Sequence, residues 1–406
     1  MSDFSAKGRS ASSASALGGV PPLWLLVLLT FTGTLAMHMF VPALPDAGRD
    51  LMSNPSAMQA TISLYVLGLA LGQLVWGPLS DRWGRRPALL GGLALFTMAS
   101  LVCMASSGLS LLVCARFVQG FGGAAGLLLG RAIVRDTATP QETMRRLAAL
   151  SLVMMAGPGL APLAGAVVVG AAHWRAVFLL FALLGIAGIV LAWSRLPETH
   201  PILGTGIREL PAPSHFELLR SPSFLLCVTG GGCSTASFYA FVSAAPFLFE
   251  DVFGQSAWMV GLFLALLSSG LALGNVLATR LSRHPPLTLM RVANGLSLAC
   301  CSLLLCQLTW FQPTLSGILA TMFLYCIGAG LCSPVALSSA LSIRADLTGS
   351  ASGLYGAGQM AVGALCSAAV GMGEDVGVMA ATVLVAACAV GQIAFQRLAR
   401  HRPFSA

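Results

Sequence analysis

A chain of 406 residues in which 56% are hydrophobic and only 9% charged cannot hide its apolar surface in a water-soluble fold. Soluble domains carry about 25% charged residues, and the fraction of surface that folding buries saturates with size. The net charge of +8 does not mark a nucleic-acid binder, because the basic residues recur as short clusters between apolar runs rather than on one tail.

The first 22 residues are rich in Ser, Ala and Gly, carry Lys7 and Arg9, and read as a cytoplasmic tail. Twelve apolar runs follow, near 23–43, 57–79, 88–107, 109–130, 147–170, 175–194, 222–249, 257–279, 292–311, 314–337, 347–372 and 376–396. Each reaches the roughly 20 residues that a helix needs to cross hydrocarbon. In lipid the backbone must satisfy itself, so these runs are expected to be helices. With the N-terminus inside, 19 of the 22 Lys and Arg residues fall on the cytoplasmic side, Arg131 and Arg135 among them. Arg49 and Arg175 fall outside, and Arg116 lies within a run. That asymmetry sets the orientation and predicts that both termini are cytoplasmic.

A polar, Pro-rich stretch at 196–221 separates six runs from six. The expected fold is therefore an all-α membrane protein with twelve transmembrane helices in two bundles. The first spans 23–195 and the second 222–396, with a short tail at 397–406. A faint repeat supports the division. Gly68 and Gly72 recur as Gly270 and Gly274 at an offset of 202, and Leu79-Ser80 recurs as Leu281-Ser282. All eleven cysteines fall inside apolar runs without metal-ligand spacing and read as small buried hydrophobes, so no disulfide or metal site is expected.

Four segments carry chemistry. His38, in Ala36-Met37-His38-Met39-Phe40, is an ionisable group near the outer end of the first run. The segment Gly77-Pro78-Leu79-Ser80-Asp81-Arg82-Trp83-Gly84-Arg85-Arg86-Pro87 reads as a tight turn, with Asp81 among three arginines. Its charge-assisted pairs would make and break as a latch, or the loop serves orientation alone. Arg116, three residues before Gln119, lies at membrane depth. It must face a polar cavity or partner, or else snorkel to the interface. Gly157, Ala161 and Gly165 lie four apart on one face of the fifth run, beside Pro158 and Pro162. Small residues at that spacing admit a close neighbour and the prolines bend the helix, which suits a bundle interface that rocks or ordinary tight packing.

The Gly77–Arg86 segment resembles the signature loop of the major facilitator superfamily, G-x-L-x-D-R-x-G-R-R. Arg116-Phe117-Val118-Gln119-Gly120 with the following Arg131 to Asp136 is similar to a second motif of that family. Ala161-Pro162-Leu163-Ala164-Gly165 is similar to the antiporter motif. Together with Val41-Pro42-Ala43-Leu44-Pro45 and Leu196-Pro197-Glu198-Thr199, these resemble the Bcr/CflA drug:proton antiporters. The resemblance implies that Asp81 and Arg85 centre a loop holding the two bundles together on the cytoplasmic side. Members of the group often carry an Asp where this chain has His38, and no expected span has a mid-membrane carboxylate. His38 is therefore the candidate proton-responsive residue, or else a hydrogen-bonding cavity residue, and Arg116 at comparable depth is expected to share its cavity. Tyr65, Gln73, Phe238, Tyr239, Phe241, Asn275, Tyr325 and Gln359 are further candidate lining groups.

These readings lead to a secondary transporter of the bacterial inner membrane, multi-pass and monomeric. It would expel small amphipathic molecules against protons by alternating access. Export of an endogenous metabolite, with drug efflux incidental, is the alternative. No catalytic constellation or phosphate loop is present, so neither enzyme activity nor a cofactor is expected, and lipid and protons are the partners besides the substrate.

Overall fold

The computed structural model describes residues 21–199, 218–343 and 348–401. Every regular element among them is helical, as a backbone without water requires. In the first half of the chain these are α1 (Leu23–Met39), a short 3₁₀ turn (Val41–Ala43), α2 (Leu44–Asp50), α3 (Pro55–Trp83), α4 (Arg85–Met104), α5 (Leu109–Thr137), α6 (Pro140–Ala171) and α7 (Arg175–Arg195). In the second half they are α8 (Pro222–Thr235), α9 (Phe238–Phe247), a π turn (Leu248–Val252), α10 (Ala257–Arg280), α11 (Pro286–Thr309), α12 (Leu315–Ser342), α13 (Thr348–Val370) and α14 (Val376–His401). Eleven helices among the described residues are long and apolar enough to cross a membrane. The remaining expected span, 147–170, falls on α6. α6 is 32 residues long; several of its side chains lie outside the described residues, and Gly157–Ala171 is its apolar part that is described without a gap. Most of the expected linker and tails also lies outside the described residues.

The outer surface is built for lipid. Leu71, Leu74, Leu160, Leu183, Val190 and Leu365 are exposed along the helices. Exposed Trp24, Trp83, Trp193, Trp258 and Trp310 stand at or next to helix ends, where an amphipathic ring meets the headgroup layer.

The glycine repeat has a structural counterpart. A Cβ added at Gly68 or Gly72 would strike α5 backbone or side chain at Phe117, Phe121 and Ala124. One added at Gly270 or Gly274 would strike α12 at Phe323, Cys326, Ile327 and Leu331. Each pair lets two helices approach to backbone contact.

Three expectations need correction. The tight turn expected over Gly77–Pro87 is narrower than that whole segment. α3 continues through Pro78 to Trp83, α4 begins at Arg85, and Gly84 alone lies between them, at φ 98°, where a side chain would be strained. The runs 23–43 and 222–249 are not continuous helices. The first breaks at Phe40, ahead of Pro42, and the second breaks at Ala236–Ser237, just after Gly230-Gly231-Gly232.

The described contacts between the chain halves run from mid-helix toward one end. There Gln59 Nε2 donates to the Ser243 carbonyl at 3.0 Å, and Ser56 Oγ donates to the Gly373 carbonyl at 2.8 Å. Ser63 Oγ lies 3.2 Å from Ser367 Oγ, which lies 3.3 Å from Ser243 Oγ. Arg49 stands 3.6 Å from Glu250 at the rim. Asp81 and Arg85 mark the opposite end.

Candidate functional site

A cavity of about 300 Å³ lies between the halves. The first half contributes His38 from α1, Arg131 from α5, and Met154 and Pro158 from α6. The second half contributes Thr235, Ala236, Phe238 and Tyr239 at the α8–α9 break, with Asn275 on α10, Ser333 on α12 and Gln359 on α13. Backbone freed at a helix break is tolerated at membrane depth where it faces such a cavity. Of the residues expected from sequence, His38, Pro158, Phe238, Tyr239, Asn275 and Gln359 are brought together here.

His38 sits two residues before the first helix break. Its Nδ1 lies 3.0 Å from the Thr34 carbonyl, which only accepts, so Nδ1 carries the hydrogen and Nε2 remains to take up a proton. Its ring centroid is 6.1 Å from that of Tyr239 on the other half. Gln359 Nε2 donates to Thr235 Oγ1 at 2.6 Å, and Asn275 Nδ2 donates to the Leu271 carbonyl at 2.9 Å.

Arg116 is placed elsewhere. It is wholly buried within the first half and does not line the cavity with His38. Its Nη1 donates to Gln119 Oε1 at 2.6 Å and to the Ala36 carbonyl at 3.2 Å. Gln119 Nε2 in turn donates to Ser100 Oγ at 2.7 Å. The guanidinium lies 4.0 Å from the Tyr65 ring centroid, 5.1 Å from Phe40 and 5.8 Å from Phe178. Tyr65 spends its hydroxyl on the Gly33 carbonyl at 2.6 Å. Its Nε and Nη2 are buried with no hydrogen-bond partner among the described residues, so ring faces stand where acceptors would be, and the cluster ties α5 to α1, α3, α4 and α7. Tyr325 is likewise buried outside the cavity, its hydroxyl 2.9 Å from Ser237 Oγ at the second helix break.

At the Gly84 turn, Arg85 is the centre. Its Nη1 reaches Asp81 Oδ1 and Ser80 Oγ, each at 2.6 Å, and its Nε reaches Asp136 Oδ2 at 2.8 Å, so α3, α4 and α5 are fastened together. Asp81 and Arg82 are exposed, and Arg86 packs on Trp193 at 5.3 Å. Glu198 accepts from the backbone N–H groups of Arg85 and Arg86 at 2.9 and 3.2 Å, capping α4. Sequence reasoning missed this cap, since only the folded chain brings Glu198 beside residue 85. All these partners belong to the first half, so the latch expected between bundles holds first-half helices together among the described residues. Gly77 on α3 is in ordinary reach of Leu128.

On α6 the expected small-residue stripe faces its own half. Gly157 meets Phe31 and Thr34 of α1, and Gly165 meets Met39 and Pro42. The face toward the second half is the adjacent one. Gly159 meets Ala265 and Ser268 of α10, while Gly261 of α10 meets the Pro162 carbonyl and Ala166. Ala161 is buried.

Sequence reasoning also missed Arg131, which it counted among the loop cations. α5 runs on to Thr137, so Arg131 lies six residues inside the helix end and faces the cavity.

Known proteins match along nearly the whole chain. Residues 26–367 match the Major Facilitator Superfamily. Multidrug resistance protein D of Escherichia coli is 32% identical over 344 residues, covering 82% of this chain and 84% of that protein. A chloramphenicol resistance protein of Pseudomonas aeruginosa is 31% identical, covering 82% and 79%. The MFS-type transporter YdgK of Bacillus subtilis is 29% identical, covering 93% and 95%. Among solved structures, a D-xylose-proton symporter superposes with TM-score 0.73 at 16% identity, covering 94% of this chain and 97% of that one. Motifs, helices and relatives converge: this membrane protein belongs to the major facilitator superfamily, among the transporters of the Bcr/CflA drug-efflux type.

Proposed function

We propose that the protein is a secondary active efflux transporter that moves small amphipathic molecules out of the cell in exchange for protons, by alternating access. The observation that carries this is the cavity built from both halves, with cross-half hydrogen bonds on one side of it. Such a site fits a ligand held while two bodies rock about it. Two six-helix bundles, residues 23–195 and 222–396, are those bodies. α6 and α10 pack against each other on one flank and α3 and α13 on the other, across the boundary between halves. The end carrying Asp81 and Arg85 is cytoplasmic, by the excess of Lys and Arg there, so the cavity faces the cytoplasm. His38 is the proton-carrying group. It lines the cavity, and its Nε2 has no partner among the described residues.

The test is transport by purified protein in liposomes. An imposed pH gradient should drive accumulation of chloramphenicol without ATP. Flux indifferent to the gradient would remove the antiport reading, and no flux of any substrate tried in an efflux-deficient host would remove efflux itself.

A further inference from the structure

Arg131 takes no part in proton exchange at His38. It stands on α5 six residues before the helix ends at Thr137, roughly 9 Å inside at 1.5 Å per residue. Its side chain lines the cavity and is exposed to it. Its polar contact is Nη2 to the Met154 sulfur at 3.1 Å, and a thioether is a weak acceptor that leaves the charge uncompensated. Three other arginines held within the structure have defined neighbours. Arg85 has Asp81 and Asp136, Arg175 has Asp50, and Arg116 has its aromatic cage. Among the described residues no carboxylate lies within ion-pair distance of Arg131, and no Asp or Glu lines the cavity. His38 shares the lining and, neutral or protonated, offers a cation no counter-charge. The remaining wall sets the uncharged polar groups of Thr235, Asn275, Ser333 and Gln359 beside the apolar and aromatic Pro158, Phe238, Tyr239 and Leu271.

A fixed cation in a confined, partly apolar space attracts negative charge far more strongly than it would in open water. We infer that Arg131 forms an anion subsite in the transport cavity. The protein then selects small amphipathic molecules bearing a carboxylate or sulfonate over organic cations of the same size. The guanidinium would grip the acid group bidentately, while Tyr239 and Phe238 cover the apolar part. This inference rests on the efflux reading of the same cavity and names the substrate class within it.

The experiment uses the full chain in nanodiscs of phosphatidylcholine and three naphthalene probes of matched size: a sulfonate, a trimethylammonium and an uncharged analogue. Wild type should bind the sulfonate about tenfold or more tighter than the trimethylammonium, the worth of one charge-assisted hydrogen bond. Arg131→Gln should erase that preference, the sulfonate losing far more affinity than the uncharged probe, while Arg131→Lys should retain part of it. If wild type binds the trimethylammonium as tightly as the sulfonate, the subsite is overturned while the cavity stands, and this comparison needs no variant. If R131Q weakens all three probes alike, Arg131 is structural and the assignment fails. If no probe binds wild type, the cavity reading falls along with the subsite.

Discussion

His38 and Tyr239 face each other across the cavity from opposite halves of the chain, ring centroids 6.1 Å apart, each within three residues of a break in its helix. A group that changes charge at this place acts on both halves at once. His38→Gln keeps a hydrogen-bonding side chain and removes the titration. In proteoliposomes it should bind substrate yet fail to exchange protons when substrate is added, read with an entrapped pH dye. Proton exchange as in the wild type would take the coupling role away from His38.

The serine contacts at the sealed end offer a reversible lock. Ser63 Oγ and Ser367 Oγ are 3.2 Å apart, so the pair S63C with S367C should form a disulfide on oxidation. Transport is expected to stop when the bond forms and to return on reduction. A cross-linked protein that still transports would mean that this end need not part.

Glu198 caps α4 by accepting from two backbone N–H groups. Glu198→Ala leaves both donors without that acceptor and should cost about 1 kcal/mol, as loss of an N-terminal cap does. The check is the melting temperature of the detergent-solubilised protein, which should fall by a few degrees or less for a chain this long. An unchanged melting temperature would show that water replaces the cap.

Two glycines on different helices should respond oppositely to alanine. At Gly274 the new methyl meets α12 backbone, the Leu331 nitrogen at 2.7 Å among it, and overpacking of this kind costs about 1–3 kcal/mol. At Gly353 it meets nothing within 4 Å, so mid-helix Gly→Ala should be neutral or stabilise by about 0.5–1 kcal/mol. Melting temperatures of G274A and G353A falling together would contradict the packing.

What sequence made legible follows from what one dimension can carry. The helices and the glycine repeat are written in composition and period: eleven spans stand among the described residues, two of them broken where an unbroken helix was expected, and Gly68 and Gly270 make matched contacts. Depth along a helix is also readable, because it is a residue count. Direction around the helix is not. His38 and Arg116 have similar depth, yet one lines the cavity and the other is caged by Tyr65, Phe40 and Phe178. Gly157 and Gly165 were visible as a stripe, but nothing local says that α1, rather than α10, lies against it. Arg131 was misread for a related reason. Hydropathy ended its span at residue 130, whereas the helix continues to Thr137 and carries the charge inward.

At the sealed end the halves meet through hydroxyls and an amide, Ser56, Gln59, Ser63, Ser243 and Ser367, set beside an apolar cluster that both halves share. Water can stand in for each partner, so giving up such a bond forfeits only about 1 kcal/mol, whereas prising apart apolar side chains over the same area would expose them all to solvent. The polar part of the joint is therefore a row of press-studs rather than a weld: each stud fixes register between the halves, and none by itself holds much.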